Sequence, residues 1–410
     1  MIRRILCLAL LLVLAAASPA AAHNVIAGSD LRVAQTIAGT ELTVVIQGTR
    51  RVPGPLRVSI VAYQPFAGPA LQVEVRSLAS GRAASGTVRP GGAVQLRVDR
   101  TGPHELTLRA GGEVALIPFR VLVERAAGWE FLIYGGLFLA GTLLIGGLLT
   151  GTLSRPSTGR YLVAGAAAAA AVAATIVVLE PQLPARQPDG AAPVEPVSGR
   201  PYAVGQVRTV PEQPVAGQEF TVRLDLVDGA TGRAVDDLAV HHEALAHLVV
   251  TSQDGSSFRH VHPLRTAPGR LETRLRADGP GRYLVYAEFE RQDSGGQMVS
   301  GAFDVTGRAV TVAAPRQHAP PRLTPAAPTA GRPVSIEVDP AGVVRPWLGM
   351  PGHLIVRSLD GGFLGHVHAM GSGVPLRFTF SFPVAGRYLA WAQYAVEDRI
   401  VTVPFTVDVS

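Results

Sequence analysis

The strongest constraint on the fold is a duplication in the C-terminal half of this 410-residue chain. The matching segments are 246–255 with 352–361, 258–262 with 364–368, and 281–287 with 386–392. The period of about 105 to 114 residues is too long for a solenoid and typical of a duplicated domain. Short apolar–polar alternations between Gly and Pro turns indicate β-strands in each copy. We therefore expect two similar all-β domains, His-rich repeat 1 at 202–312 and His-rich repeat 2 at 320–410.

The same alternation continues through residues 23–125, which predicts a third, N-terminal β-sandwich domain. Residues 181–201 are Pro-rich and lack a hydrophobic period, so we expect a linker there, and a second linker at 313–322. Domains of about 100 residues with many short strands favour immunoglobulin-like or cupredoxin-like β-sandwiches. No helical period is visible in these three domains.

Two apolar runs between the N-terminal domain and repeat 1 predict a transmembrane helical hairpin over 128–180. Residues 131–153 carry no charge and are long enough to cross ~30 Å of hydrocarbon, and residues 161–179 are Ala-rich and just long enough. Arg155 and Arg160 lie in the short loop between the runs. The positive-inside rule places this loop in the cytoplasm and both flanking regions outside it.

The first 22 residues have the pattern of a secretory signal peptide. Arg3 and Arg4 precede an apolar stretch, and Ala20 to Ala22 supply a small-residue cleavage site. We expect a protein of the bacterial cytoplasmic (inner) membrane, with its N- and C-terminal domains on the periplasmic or extracellular side. Cleavage after Ala22 would make His23 the first residue, whose α-amine and imidazole together can chelate copper.

Cysteine chemistry is excluded from the mature chain, because the single cysteine, Cys7, lies in the signal peptide. Disulfides, Cys-ligated zinc, iron–sulfur clusters and blue copper all need a thiol. The net charge of +6 comes from scattered arginines without a Lys/Arg-rich run, so we expect no nucleic-acid partner.

Six of the eleven histidines occupy equivalent places in the repeats and form the main candidate site. They are His247, His260 and His262 in repeat 1 and His353, His366 and His368 in repeat 2, spaced H-x12-H-x-H in each copy. An Asp-Gly pair lies midway in each copy and favours a two-residue hairpin turn. Counting outward from the turn places His247 opposite His262 and Val249 opposite His260, so all three imidazoles share one face. The other face, which includes Leu248, is expected to fill the core.

Three convergent imidazoles form a nitrogen site suited to copper, as Cu(I) or Cu(II), and in second place to zinc. We expect one such site in each repeat. The weaker candidate ligands are His241, His242, Glu243, Met350, Met370 and His23. The thioethers among them would favour Cu(I). The alternative for the six main histidines is a structural or interface role, in which they hydrogen-bond core carbonyls.

Residues 242–263 resemble bacterial secreted modules with the pattern H-E-x-x-x-H-L-I-V-x-S-x-D-x-x-x-F-x-H-x-H-P, and residues 281–289 fit the same modules. These modules are similar to the YtkA-like and CopC-like β-sandwiches found beside copper and heavy-metal handling genes. The resemblance implies periplasmic metal binding without catalysis. Repeat 2 departs from the pattern where Leu348 and Gly349 replace its His-Glu pair.

The leading hypothesis is a membrane-anchored, extracytoplasmic protein that binds a transition metal, copper above all, for sequestration, delivery or resistance. Its expected partners are the membrane, through two spans, a metal ion and another envelope metal-handling protein. The alternative is a non-catalytic structural or partner-docking β-sandwich protein of the cell envelope. A metalloenzyme would need a general base beside an open metal position, and Glu243 is the one candidate, so we expect no enzymatic activity.

Overall fold

The computed structural model describes residues 29–124, 128–183, 187–192, 202–292, 294–311, 318–371 and 373–410. The predicted signal peptide, His23 and parts of both predicted linkers lie outside these residues. The chain divides into two units. One includes Leu122–Ala191 and holds the helices, and the other joins Asp30–Val121 to Ala192–Ser410 and holds the β-sandwich domains.

Two helices, α1 (Gly128–Leu149) and α2 (Pro156–Leu179), form the apolar unit, with 3-10 turns at Thr152–Ser154 and Glu180–Gln182. Both helices are long and apolar enough to cross a membrane. α1 ends earlier than expected, because Gly151, two residues after its last residue, has a φ of 68°, which lies outside the right-handed helical region. α2 begins earlier than expected, because Pro156 at its first position has a helical φ and no N–H to satisfy.

The two helices pack against each other through small residues. The buried positions are Ala140, Gly147, Gly159, Ala166 and Ala173. A Cβ added at Gly136 would lie 3.0 Å from the carbonyl oxygen of Ala169, so the two backbones approach closely there. Val123, before α1, pairs its backbone with Asp189, after α2. The two ends of the hairpin therefore lie together.

The N-terminal domain is a sandwich of two four-stranded antiparallel sheets, ordered β1-β2-β3-β6 and β5-β4-β7-β8. Its strands are β1 (Leu31–Ile37), β2 (Thr40–Gln47), β3 (Gly54–Ala62), β4 (Leu71–Ser77), β5 (Ala83–Val88), β6 (Ala93–Val98), β7 (Gly102–Ala110) and β8 (Glu113–Val121). The alternation read from the sequence sets the faces, since Leu56, Val58 and Ile60 are buried while Pro55 and Arg57 are exposed.

Repeat 1 has a four-stranded sheet, β14-β15-β10-β9, and a five-stranded sheet in which β11-β16-β12-β13 is extended by β17 on β16. Its strands are β9 (Ala203–Val210), β10 (Glu219–Asp228), β11 (Leu238–Ala239), β12 (Ala246–Ser252), β13 (Phe258–Val261), β14 (Leu264–Ala267), β15 (Arg270–Arg276), β16 (Gly281–Arg291) and β17 (Gly295–Val305).

Repeat 2 has the same plan, with a three-stranded sheet, β18-β19-β23, and a five-stranded sheet in which β20-β24-β21-β22 is extended by β25 on β24. Its strands are β18 (Arg322–Thr324), β19 (Pro333–Val338), β20 (Val344–Arg345), β21 (His353–Ser358), β22 (Leu364–His368), β23 (Leu376–Ser381), β24 (Gly386–Val396) and β25 (Arg399–Val409). The hairpin β12–β13 thus corresponds to β21–β22.

The repeats pack their histidine-bearing sheets face to face. Val249 and Tyr286 of repeat 1 form a buried apolar cluster with Ile355, Leu364 and Trp391 of repeat 2. β12 is therefore buried along nearly its whole length, because one side faces its own core and the other faces repeat 2.

The contacts between the repeats are reciprocal, as in an isologous dimer. A Cβ added at Gly255 would lie 2.4 Å from Leu389, and one added at the equivalent Gly361 would lie 2.4 Å from Leu284. Both glycines have positive φ, 76° and 80°, so neither the backbone nor the available space accepts a side chain. A pseudo-twofold axis therefore relates the two repeats.

The N-terminal domain docks through its edge strand β1. The N–H of Ala34 donates to the carbonyl of Glu243, and the N–H of Thr36 donates to the carbonyl of His262 at 2.8 Å. The N–H of His262 in turn donates to Thr36 Oγ1 at 2.9 Å. Trp347 of repeat 2 packs in the same small apolar cluster as Ala34. The N-terminal domain thus contacts both repeats.

Candidate metal centre

The two histidine hairpins have the register predicted from the sequence. In repeat 1, Val249 pairs with His260. In repeat 2, His353 pairs with His368 and Ile355 with His366. The residues between the histidines face the opposite way and belong to the cores of the two repeats. The prediction that each trio of imidazoles shares one face is confirmed.

The hairpin turns contain four residues rather than the expected two. In repeat 1 the N–H of Ser252 donates to the carbonyl of Ser257, and the N–H of Gly255 donates to the carbonyl of Ser252, both at 3.0 Å. Asp254 Oδ1 accepts hydrogen bonds from the hydroxyls of Ser252 and Ser256, which stabilises the longer turn. Because four residues and two residues are both even numbers, the register is unchanged and the histidines stay on one face.

The structure brings the two expected sites into contact: the trio of repeat 2 is retained, and His366 of that trio also lies beside His247 and His260 of repeat 1. Eight of the eleven histidines form a continuous set of ring contacts, called here the histidine cluster. Its members are His241, His242, His247, His260, His262, His353, His366 and His368. His366 of repeat 2 lies 5.2 and 5.3 Å, centroid to centroid, from His247 and His260 of repeat 1. The sites adjoin because the faces that carry them pack together.

Three ring nitrogens converge in repeat 1. His247 Nδ1 lies 3.3 Å from His260 Nε2 and 3.1 Å from His262 Nε2. The other nitrogen of two of these rings lies against an oxygen atom, with His260 Nδ1 2.9 Å from Gln393 Oε1. His247 Nε2 makes a longer contact, 3.4 Å, with the carbonyl of His241. These oxygens fix the orientation of the rings.

The second trio lies in repeat 2, where His353 Nδ1 is 3.2 Å from His366 Nε2. The ligand atoms of these two rings and of His368 all lie within 4.8 Å of one another. His366 Nδ1 is 2.8 Å from Glu288 Oε2, and His353 Nε2 is 3.1 Å from the carbonyl of Trp347. The Nε2 atom of His368 is buried without a hydrogen-bond partner.

The oxygen contacts assign the hydrogens on the rings. A ring nitrogen beside a carbonyl or carboxylate oxygen carries the hydrogen, and the other nitrogen of the neutral ring then has a lone pair. His247 and His260 therefore direct lone pairs at each other across 3.3 Å, and His353 and His366 do the same across 3.2 Å. Lone pairs in this arrangement repel. Ligand nitrogens about 2.0 to 2.1 Å from a tetrahedral metal lie about 3.3 Å apart, so the observed spacing is that of nitrogens around one ion.

The cluster keeps its imidazoles neutral. Burial, and secondly the neighbouring histidines, hold the pKa of His247, His260 and His353 well below the ordinary 6.5. The same causes lower the pKa of His242 to about 4 and that of His368 to about 3. Neutral imidazole is the form that ligates metals, so these rings are ready to bind a metal at neutral pH.

One end of the cluster, the sealed end around His260 and His262, is covered by the N-terminal domain. His262 is completely buried, and its Nδ1 lies 2.6 Å from Glu41 Oε1, outside the alignment of a hydrogen bond. Thr36 Oγ1 donates to the other oxygen of Glu41 at 2.7 Å. The indole ring of Trp347 packs edge-on against both histidines.

The other end, called here the open end, lies beside His366 and His368 and has partly exposed side chains around it, since that of His241 is 35% exposed and that of Glu288 is 29% exposed. The ring of His242 lies 4.0 Å from that of His368, and the ring of His241 lies 3.9 Å from that of His242. Burial acts to raise the pKa of Glu288, but its hydrogen bond to His366 and the nearby histidines outweigh this and lower the pKa. Glu288 is therefore ionised and adds a negative charge to the open end.

The remaining weaker candidate ligands lie in different surroundings. Glu243 pairs with Arg32 of the N-terminal domain, so its carboxylate belongs to the domain interface rather than to the ligand set. The side chain of Met370 is 70% exposed. Met350 closes a turn with Trp347 through backbone hydrogen bonds.

Sequence reasoning missed the residues that orient the imidazoles. Glu288 and Gln393 occupy the same position of β16 and β24, each directly after an aromatic-Ala pair. The available signal was a polar residue at the same place in two otherwise apolar strands. Gln393 Nε2 donates to Thr402 Oγ1 at 2.9 Å, which turns its oxygen toward His260. Glu41 carried no signal, because its contact with the cluster joins different domains.

Comparison with known proteins bears on the fold. A family described as a domain of unknown function, DUF8832, matches residues 204–308 and again residues 323–410. The two matches fall on the two repeats. No curated protein matches the chain. The fold class predicted from the sequence, tandem β-sandwiches plus two apolar helices, is confirmed by the antiparallel sheets of the repeats and by the two helices.

Solved structures that are similar to this chain contain fibronectin type III domains. One is a segment of two such domains from chicken tenascin, which is 11% identical, with 52% of this chain and 99% of that chain covered and a TM-score of 0.17. Another contains the FN1–FN3 domains of chicken CNTN1, which are 8% identical, with 88% of this chain and 97% of that chain covered and a TM-score of 0.17.

Proposed function

We propose that this protein binds a transition metal, copper above all, through the histidine cluster, and that it does so outside the cytoplasm from a membrane anchor. It holds the metal or passes it to another envelope protein and catalyses no reaction. The proposal keeps the ligands expected from the sequence and holds that the two sites adjoin within one cluster.

The observation that carries the proposal is the convergence of ring nitrogens whose hydrogens are already committed elsewhere. A structural pair of histidines would place one hydrogen between the two nitrogens. Here the hydrogen of His260 faces Gln393 and that of His366 faces Glu288. The nitrogens that face each other therefore both have lone pairs, which a bound cation stabilises and an apolar junction does not.

Copper is favoured over zinc by the kind of ligand and by the order of affinities. Neutral imidazoles suit both metals, and for a given nitrogen site divalent copper binds more tightly than zinc. The resemblance of residues 242–263 to YtkA-like and CopC-like modules supports the same choice. Glu288, which lies behind His366, is of the kind that orients metal-binding histidines and raises their basicity.

The membrane anchor is supported by the two apolar helices and by the loop between them. Arg155 lies in this loop and Arg160 lies near the start of α2, which favours a cytoplasmic position for the loop. The pairing of Val123 with Asp189 brings the two outer ends of the hairpin together. Both ends then lie on the side opposite the loop, which agrees with the predicted signal peptide.

The alternative is a structural or partner-docking protein in which the cluster serves only to join the repeats. The observation in its favour is the extent of the other contacts at this junction, since Arg357 is buried there and donates to Thr251 Oγ1 and to the carbonyls of Ser252 and Gln253. In that case the histidines contribute to stability, and their replacement leaves metal binding unchanged.

The test is a metal titration of the full chain in detergent with Cu(I), Cu(II) and Zn(II), each in competition with a chromophoric chelator. The variant is His260→Gln with His366→Gln, because glutamine retains a hydrogen-bond donor toward Gln393 and Glu288. We expect tight binding by the parent and a loss of affinity on the order of 100-fold or more in the variant. The metal that is bound most tightly identifies the cargo.

The matched control is His318→Gln, which changes a histidine outside the cluster, in the segment before repeat 2. It should bind metal as the parent does. If the parent and the double variant bind metal equally weakly while both remain folded by circular dichroism, the metal-binding function is wrong and the structural alternative stands.

A further inference from the structure

We infer that the histidine cluster is a metal path with two positions and one entrance. An ion enters at the open end, where His353, His366 and His368 form an outer position. It then moves to an inner position formed by His247, His260 and His262. This inference rests on the metal binding proposed above and adds to it a route and an order of occupancy.

The first support is the unbroken row of imidazoles that leads inward from the surface. His241, whose side chain is 35% exposed, contacts His242, which contacts His368 with 4.0 Å between ring centroids. His368 lies 4.8 Å from His366 and 4.9 Å from His353 by the same measure. An ion that reaches His241 therefore meets further nitrogen ligands at every step.

The second support is that His366, a ligand of the outer position, also lies beside two rings of the inner position. Its ligand nitrogen lies within 4.8 Å of those of His353 and His368, and also within 4.8 Å of those of His247 and His260. This single ring can ligate an ion on either side of the junction. An ion can thus change position by exchanging ligands one at a time, without losing all of its nitrogen ligands at once.

The third support is the difference in access at the two ends. His262 is fully buried, and β1 of the N-terminal domain is hydrogen-bonded to both its N–H and its carbonyl. Trp347 closes the space beside it. At the open end, the side chain of Glu288 is 29% exposed and lies 2.8 Å from His366 Nδ1, so an acidic side chain faces the entrance. Entry and exit therefore use the open end while the N-terminal domain remains docked.

The experiment follows Cu(I) in the full chain in detergent by stoichiometry, by the rate of uptake, and by the rate of removal by excess chelator. We expect the parent to take up two equivalents, one quickly and one slowly, and to release the fast equivalent first and the slow one last. His262→Gln should lose the slow, protected equivalent and retain the fast one. His368→Gln should lose the fast equivalent and fill the inner position on the order of tenfold more slowly.

The matched variant for the shared ring is His366→Gln, which should weaken both equivalents, whereas His318→Gln should change neither. If His262→Gln does not fold, Glu41→Gln replaces it, because this change keeps every ring and removes only the carboxylate behind the inner position. It should then weaken the slow equivalent alone.

Three results would overturn the path. The parent could bind a single equivalent, the His262→Gln and His368→Gln variants could affect both equivalents alike, or uptake in His368→Gln could be as fast as in the parent. Absence of any Cu(I) binding by the parent is a separate outcome, since it contradicts the proposed function itself. The failure of the path and the failure of metal binding are therefore distinguishable.

Discussion

The two ends of the histidine cluster are built from the same repeated pattern and differ in what surrounds them. The position filled by Trp347 at the sealed end is filled by His241 at the open end. The amide of Gln393 at the sealed end corresponds to the carboxylate of Glu288 at the open end. The N-terminal domain covers only the sealed end. The duplication therefore supplied the histidine ligands twice. The residues around each set of ligands determine how accessible that set is and what charge lies beside it.

The largest effect that we expect is acid destabilisation of the metal-free protein. His247, His260 and His353 have pKa values well below 6.5 in the folded state and titrate near 6.5 when unfolded. Below pH 6.5 the unfolded state therefore binds more protons, so this stability is complete above pH 6.5 and is lost as the pH falls toward the folded-state values. With His242 and His368, whose pKa values are lowered in the same way, the five groups together give a limiting slope of about 7 kcal/mol per pH unit.

Urea unfolding of the full chain, followed by the fluorescence of the buried Trp347 and Trp391, measures this slope at several pH values. His260→Gln at the sealed end should reduce the slope by about a fifth, because it removes one of the five groups. A free energy of unfolding that stays constant from neutral pH to about pH 5 would mean that these histidines are not held neutral by the fold.

The next largest effect concerns the equivalent positions Trp347 and His241. Trp347 is buried at the contact of all three β-sandwich domains, so Trp347→Ala should lower the free energy of unfolding by about 3 to 5 kcal/mol. His241 is partly exposed, and His241→Ala should cost less than about 1 kcal/mol. Equal losses in urea unfolding would show that the two ends are covered alike.

A smaller effect should follow from exchanging the groups behind the rings. Glu288→Gln gives the open end the amide of the sealed end and should weaken the outer metal position about tenfold. Gln393→Glu is the reverse change and should strengthen the inner position, because a carboxylate makes His260 a more basic ligand. Chelator competition measures both affinities. If neither affinity changes, the side-chain oxygens of Glu288 and Gln393 orient the rings without altering how tightly the rings bind the metal.

The smallest effect should come from the ion pair between Arg32 and Glu243, which joins the N-terminal domain to repeat 1. The side chain of Arg32 is 39% exposed, so Arg32→Ala should cost only about 0.5 kcal/mol in urea unfolding. The sealing of the inner position should survive, since the backbone hydrogen bonds of Ala34 and Thr36 remain. A decrease in the free energy of unfolding above about 2 kcal/mol would mean that this ion pair, rather than the backbone hydrogen bonds, holds the N-terminal domain over the inner position.

Much of the fold was predictable because it depends on local patterns. The alternation of apolar and polar residues predicted the strands, and the uncharged apolar runs predicted the two helices. The even number of residues in the hairpin turn predicted the register of the histidines. The helix ends were less accurate, since Pro156 and Gly151 act through backbone conformation rather than hydrophobicity. The four-residue turn escaped prediction because Asp254 stabilises it through its side chain.

The candidate site was predictable within one repeat and not between repeats. The six histidines were found from their spacing. The contact between the trio of repeat 1 and the trio of repeat 2, however, depends on a second buried face of β12 and β21. The signal for that face was present, because Val249 and Ile355 are apolar on the side that carries the histidines. The partners Glu41, Glu288 and Gln393 belong to other strands or domains, and spacing along the chain does not report such contacts.

The reciprocal contact between the repeats has a consequence for how such a site can change over time. In a symmetric homodimer every substitution occurs in both subunits, so the two halves of a shared site remain identical. Here the two halves are encoded separately in one gene product, and one half can acquire a glutamate while the other retains a glutamine. Joining the halves in one chain is what permits a centre with two unlike ends.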